Sequence, residues 1–346
     1  MDLRSLDRGQ RGLVLLAALV IVVAGLKFAA PLLLPFLFAA FLAVLAAPSV
    51  LWLERRGIPP AVAVVPTLVV LLGLLAIFGA MLTASIDGFV EAAPGYSRGL
   101  ARTAGDSMAL LASFGVPITL PAIGDVVGPA DMIDVVGTLA NAMVSALSNT
   151  ALVLLTLLFM LLEVAGLPRK LVLALGASQI DLAAAAGVMV EVQRYLAIKT
   201  AVSVLTGALV AMLCAIVGVD FPLVWGLIAF LLNFIPNIGS VIAAVPTTLV
   251  TLVQPEMGPG PALVVLIGYV VINTLVGNML EPAWMGRKLG MSTLVVFLSL
   301  VFWGWVWGPI GMFLSVPLTM VVKILLERSE SLQPIAVLLG PAPAPP

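Results

Sequence analysis

Ile235-Pro236-Asn237-Ile238-Gly239, with Pro246 seven residues past its glycine, has a counterpart in Trp307-Gly308-Pro309-Ile310-Gly311, with Pro317 six residues past its glycine. Each Pro-Gly break sits in the middle of an apolar block, residues 221–253 and residues 292–326. A straight bilayer crossing takes about 20 residues and two crossings about 40, so blocks of this length fit neither. A helix that enters the membrane, breaks and returns to the same side fits both. Broken helices at corresponding places in two halves of a chain point to the binding site of a secondary transporter.

Composition puts these blocks in a bilayer. Of 346 residues 62% are hydrophobic and 10% charged, well outside the usual balance of soluble domains. The net charge of −1 gives no signal for nucleic acid. There is no histidine, which removes the commonest metal ligand and any Ser-His or Cys-His catalytic pair. The lone Cys214 cannot close an intrachain disulfide and reads as a small hydrophobe inside a membrane helix. No glycine-rich loop ends in Gly-Lys-Ser/Thr, which argues against an ATP-driven pump. An intramembrane enzyme is a remote alternative, because the histidine, zinc ligands or Gly-x-Gly-Asp motif it would use are absent. The chain is therefore read as a non-enzyme with no cofactor and no metal site, whose partners are the lipid bilayer and a small polar solute or cation.

Apolar runs at 13–30, 36–52, 61–85, 142–162, 199–217 and 262–280 predict six full spans, and the two blocks add two re-entrant helical hairpins, eight membrane segments in all. Pro31 and Pro35 predict a tight turn between the first two spans. A basic start before an apolar run also fits a signal peptide, but the immediate return through a second run favours an uncleaved hairpin. With the N-terminus inside the cell, Arg4, Arg8, Arg11, Arg55, Arg56, Arg169, Lys170, Arg194 and Lys199 lie on the cytoplasmic side, as the positive-inside rule prefers. Residues 86–141, net acidic and broken at Pro94-Gly95 and again between Pro117 and Pro121, become an outer segment. If the first block crossed once, Arg287 and Lys288 would fall outside; a hairpin returns them to the cytoplasm, and the C-terminus with them.

Each half of the C-terminal region is then a full span followed by a hairpin, with hairpins dipping from opposite faces. That is an inverted repeat, the usual basis of alternating access. The domain plan is a four-span N-terminal scaffold at 1–165, a cytoplasmic connector at 166–198, a transport unit at 199–328 and a Pro-rich cytoplasmic tail at 329–346. The amphipathic stretch 180–196 would lie along the inner interface, with Arg194 and Lys199 near anionic headgroups.

Chemistry concentrates at the breaks. Pro236, Gly239, Pro309 and Gly311 free backbone groups at membrane depth, which are tolerated only against protein or a water-filled cavity. Asn233 and Asn237 flank the first tip; their amides suit a hydroxyl-rich solute and equally suit the broken backbone. On the span between the hairpins, Asn273, Gly277 and Glu281 share a stripe with Asn278 beside it. Glu281 is the candidate for ion coupling, or it pairs with Arg287, six residues on. Lys27 is read as snorkelling and Asp220 as solvated at the mouth of the first hairpin.

The run Gly277-Asn278-x-x-Glu281-Pro282-x-x-Met285-Gly286, then Leu289-Gly290-Met291-Ser292-x-Leu294-Val295-Val296-Phe297-Leu298-Ser299-Leu300, Trp303-Gly304-Trp305, and Gly308-Pro309-Ile310-Gly311-Met312 to Ser315-Val316-Pro317-Leu318, resembles the autoinducer-2 exporter family. Arg194-Tyr195-Leu196-x-x-Lys199-Thr200 and Asn233-Phe234-Ile235-Pro236-Asn237-Ile238-Gly239 are similar to it as well. The resemblance covers most of the C-terminal half, while the N-terminal half agrees mainly in the order of its spans. It implies a bacterial inner-membrane protein of eight membrane segments that exports the quorum-sensing signal autoinducer-2, a small furanone. It also implies a homo-oligomer, with a pentamer suspected. Some relatives are sodium or lithium/proton antiporters, which is the alternative function.

Overall fold

The computed structural model describes residues 8–113, 150–163, 182–236, 238–285, 291–327 and 332–340. Every regular element among them is helical: α1 (Arg8–Phe28), α2 (Ala30–Arg55), α3 (Pro60–Ser113), α4 (Thr150–Glu163), α5 (Leu182–Val217), α6 (Pro222–Leu232), α7 (Ile238–Val253), α8 (Pro259–Ile272), a π-helix at Asn273–Leu280, α9 (Glu281–Met285), α10 (Thr293–Glu327) and α11 (Gln333–Leu339). Among the described residues five stretches are long and apolar enough to cross a bilayer: Ala30–Arg55, Pro60–Ser85, Val190–Val217, Pro259–Met285 and Thr293–Glu327. Gly12–Phe28, α4, α6 and α7 are apolar but shorter. Val264, Ile267 and Val270 on α8 are each more than half exposed, whereas Ser203, Thr247 and Thr251 are completely buried. Apolar outside and polar inside is the arrangement of a protein solvated by lipid, and the chain is an integral membrane protein.

The chain forms two compact units. Among the described residues the first holds α1, α2, α4, α10, α11 and the start of α5; the second holds α3, the rest of α5 and α6 through α9.

In the first unit, α10 is two helices meeting at Gly308, whose φ of 65° and ψ of −149° no helix contains. The Trp303 Nε1–H donates to Thr319 Oγ1 at 3.0 Å. Residues that far apart on a straight helix would stand about 24 Å from each other, so the chain folds back on itself. The turn is tight enough that a Cβ on Gly311 would lie 2.0 Å from the Trp303 carbonyl oxygen. Trp303 and Trp307 stack at 4.8 Å, with Leu26, Leu33 and Leu37 packed against them. The Trp307 indole donates to the Leu26 carbonyl at 2.9 Å, satisfying an acceptor that the end of α1 leaves open. Lys27, read from the sequence as snorkelling, lies over the Trp305 ring at 4.5 Å, a cation–π contact. The predicted turn at Pro31 and Pro35 falls instead at Ala29 (φ −80°, ψ 2°), with Pro31 in the first turn of α2 and Pro35 inside it. A proline in the first turn sacrifices no hydrogen bond.

In the second unit, α6 has 11 residues and α7 has 16, about 16 and 24 Å, each short of a hydrocarbon core of about 30 Å. They pack on each other across the turn that holds 233–236, closed by Ile235 N–H to the Leu232 carbonyl at 2.8 Å. A Cβ on Gly239 would stand 1.8 Å from the Leu232 oxygen. Trp225, Ala229, Ala243 and Ala244 from this pair share a core with Val210, Cys214, Val265 and Tyr269. Where α5 crosses α6, Gly207 and Gly226 face each other so closely that a Cβ on either would reach 2.6 or 2.5 Å from the other's carbonyl oxygen. Small residues at such crossings are how membrane helices gain packing.

Three sequence expectations change here. The predicted break at Pro94-Gly95 does not occur, because α3 continues through it to Ser113. Gly88, Gly95 and Gly99 lie on one face of the extension, against Phe221, Pro255 and the Val253 carbonyl, and this packing outweighs the lost hydrogen bond at Pro94. Asp220, expected in solvent, accepts a 2.7 Å hydrogen bond from the Tyr96 hydroxyl. Its backbone N–H donates to Gln254 Oε1, and its carbonyl accepts from Trp225 Nε1. Burial pushes the Tyr96 phenol up from its ordinary pKa, and the bond to Asp220 and that carboxylate's charge push it further. Residues 182–198 are continuous with the fifth span in α5, so the predicted connector and span share one helix.

The glycine contacts make a stability prediction. Gly239→Ala and Gly311→Ala force a Cβ into a backbone oxygen and should each destabilise the protein by about 1–3 kcal/mol or more. Gly260→Ala, with nothing within 4 Å, should be neutral or stabilising by up to about 1 kcal/mol. Thermal unfolding in detergent distinguishes the two outcomes.

Candidate functional site

Within the second unit the span after the first hairpin loses its α-helical register. From Asn273 to Leu280 it is a π-helix, closed where the Glu281 N–H donates to the Val276 carbonyl five residues back. Pro282 follows and has no N–H to give, so neither register can continue unbroken past it. π turns inside α-helices are frequent at functional sites, and they rotate side chains out of their α positions.

The residue that opens this π-helix lines a pocket. Its walls are Thr206 and Val210 of α5, Ala229 and Asn233 at the end of α6, Ser240 and Ala243 of α7, and Tyr269, Ile272 and Asn273. In this conformation it has room for about one water-sized sphere. The Ser240 hydroxyl donates to Asn273 Oδ1 at 2.7 Å. Asn233, 7% exposed, donates through Nδ2 to Ser203 Oγ at 3.0 Å. The Thr247 and Tyr269 hydroxyls bond each other at 2.9 Å. Every polar group lining the pocket is neutral, and together they present donors and acceptors of both hydroxyl and amide type.

Of the residues singled out from the sequence, Asn233 and Asn273 meet here. Pro236 and Gly239 form the neighbouring turn, Pro236 half-buried and Gly239 buried as a packing glycine. Asn278 is exposed. Asn237 lies outside the described residues. Pro309 and Gly311 belong to the first unit, where Gly311 closes the turn in α10 and Pro309 is exposed. The sequence reading missed Ser203, Thr206, Ser240 and Tyr269. A signal existed for α5: Lys199, Ser203 and Thr206 recur at spacings of four and three, which places polar groups on one helical face.

Glu281 has a partner that proximity in sequence did not suggest. Its Oε1 lies 2.7 Å from Lys199 Nζ, with the two side chains 17% and 4% exposed. Lys199, expected at the headgroups, is thus drawn into the protein by a carboxylate. Arg287, the expected partner, lies outside the described residues. Tyr195, one turn earlier on α5, is buried beside the pair. Among the described residues no three His, Cys, Asp or Glu side chains cluster as metal ligands.

The model of the AI-2E family transporter matches residues 16–331, far beyond the C-terminal half that carried the resemblance. The AI-2 transport protein TqsA of Escherichia coli K12 is 40% identical over 332 residues, 96% of each chain. YhhT of the same organism is 37% identical over 335 residues, covering 96% of this chain and 95% of its own. A Haemophilus influenzae protein is 37% identical over 337 residues, 95% of this chain and 96% of its own. The last two are named for transport without a substrate.

The ion pair makes a prediction of its own. Glu281→Gln leaves the buried Lys199 charge alone and should cost about 3–5 kcal/mol, and Lys199→Met, which leaves the partly exposed Glu281, should cost less. The double substitution should cost clearly less than the sum. A double-mutant cycle on unfolding midpoints measures the difference.

Proposed function

The chain belongs to the AI-2E family of transporters, and from that premise we propose that it exports a small, neutral, hydroxyl-bearing solute, with autoinducer-2 as the cargo, by alternating access across the bacterial inner membrane. The observation that carries this reading is the pocket formed by Asn233, Ser240, Asn273, Thr206 and Tyr269. A site of amides and hydroxyls offers the donors and acceptors that a neutral polar cargo uses. Among the described residues none of its lining groups carries a charge. The AI-2 transport protein TqsA, 40% identical over nearly its whole length, supports the same cargo.

In this reading the chain has six spans and two re-entrant hairpins, α6–α7 and the folded α10. The shortness of α6 and α7 and the turn at Gly308 support that count. The two hairpins form the inverted repeat expected from the paired Pro-Gly motifs, and the basic residues flanking the early spans keep both termini in the cytoplasm. The small size of the pocket in this conformation means that loading requires the walls around Asn233 and Asn273 to separate.

Sodium or lithium/proton antiport is the second reading, and the observation in its favour is the carboxylate of Glu281 within the apolar stretch Pro259–Met285. Against it, Lys199 already neutralises that carboxylate at 2.7 Å. The two readings separate in proteoliposomes offered both cargoes. Saturable autoinducer-2 flux without sodium dependence is expected, falling about tenfold or more in Asn273→Ala and Asn233→Ala, the loss of one or two good hydrogen bonds. Sodium-dependent proton flux that disappears in Glu281→Gln would establish the antiporter instead.

A further inference from the structure

We infer that Lys199 and Glu281 are positioning residues for cargo: their buried ion pair holds the π-helical register of Asn273–Leu280 and so aims Asn273 into the pocket. The inference rests on the cargo pocket proposed above, since it assigns a task to the far end of the same helix.

Both ends of the π-helix are tied down. At its start Asn273 takes the Ser240 hydroxyl at 2.7 Å, which links it to α7. At its end Glu281 both closes the last i→i−5 hydrogen bond through its N–H and reaches Lys199 through its side chain, which links it to α5. Between them the helix is held by its own hydrogen bonds and by Val276, the one buried side chain of the run. Gly277 lets the Asn273 side chain lie along the helix, since a Cβ there would come within 3.0 Å of Asn273 Oδ1. A π register is rarely sustained over several residues. Relaxation to α geometry shifts the register by one residue, which turns one end of the segment by about 100° relative to the other. With Glu281 pinned to Lys199, that rotation cannot take place without separating a buried charge pair, and Asn273 stays in the pocket.

Lys199 also lies on the pocket's own helix. Ser203, which holds Asn233, is one turn along α5, and Thr206, a pocket wall, is seven residues along, about 10 Å. One face of α5 thereby grips the π-helix at one point and lines the cargo site at another. Breaking the pair frees the π segment to relax and carries Asn273 off its partner Ser240, which opens the pocket wall.

Hydrogen–deuterium exchange of the full-length protein in nanodiscs, without cargo, tests this directly. Lys199→Met and Glu281→Asp should each accelerate exchange of the amides of residues 273–281 by about tenfold or more beyond any change in α6 and α7, which report the global loss of stability. Glu281→Asp retains the charge and shortens the reach by one methylene, so it serves if Lys199→Met fails to fold. Lys199→Arg, which can still bond the carboxylate, and the exchanged pair Lys199→Glu with Glu281→Lys, should restore protection. Unchanged exchange at 273–281 in both single variants, or acceleration spread evenly over α5 through α9, would overturn the inference and leave the pair a general stabiliser. Because no cargo is present, that failure is distinct from a failure of the autoinducer-2 assignment, which the flux assay alone decides.

Discussion

A helix that stops inside an apolar layer leaves carbonyls and amides with no water to bond, and the protein has to supply every partner itself. The rest of this structure follows from that constraint. Around residues 233–236 the loose groups are closed by short-range bonds, Ile235 N–H to the Leu232 carbonyl and Gly239 N–H to the Ile235 carbonyl. At the end of α1 the Leu26 carbonyl is met by the Trp307 indole. Ahead of Pro282 the helix widens, so that the Glu281 N–H reaches Val276. At the mouth of α6 the Gln254 side chain bonds the Asp220 N–H and the Gly218 carbonyl. Two of these repairs are local, and the Trp307 and Gln254 repairs bring distant segments of chain to the break.

The two Pro-Gly motifs are alike in sequence but do different physical work. In α10 the turn is surrounded by bulk: Trp303 and Trp307 fill the space beside it and Phe313 meets Phe41 edge-on at 4.9 Å. Such a tip is an anchor. In α6–α7 Phe230 and Phe234 meet edge-on at 5.7 Å, but the residues on the pocket side are an asparagine, a serine and alanines, small enough to leave a pocket and polar enough to line it. The repeat describes where the backbone breaks. Side-chain volume beside each break decides whether the result is a packed joint or a site.

Much of this was legible from residues alone. The length of the blocks at 221–253 and 292–326 pointed to folded-back helices because rise per residue and bilayer thickness are both known quantities. Asn233 and Asn273 stood out because an amide in a membrane helix is expensive unless bonded. The helical course of α3 through Pro94 did not stand out, since the favourable term is contact of Gly88, Gly95 and Gly99 with residues more than 120 positions away in sequence, such as Phe221. Nor did the Lys199–Glu281 pair, 82 residues apart, because charge attraction depends on distance in space and the sequence offered a nearer candidate in Arg287.

By itself the sequence determined the class of molecule: a helical membrane protein with two broken apolar blocks, no histidine chemistry and a few polar residues confined to membrane depth. Hydrophobicity and helical rise are properties of the local chain, so no partner was needed to read them. Only the tertiary structure decided which polar residues share a space: Asn233 with Ser203, Asn273 with Ser240, Glu281 with Lys199. Hydrogen bonds and ion pairs act over about 3 Å. No spacing along the chain specifies a separation that small between residues brought together from different helices.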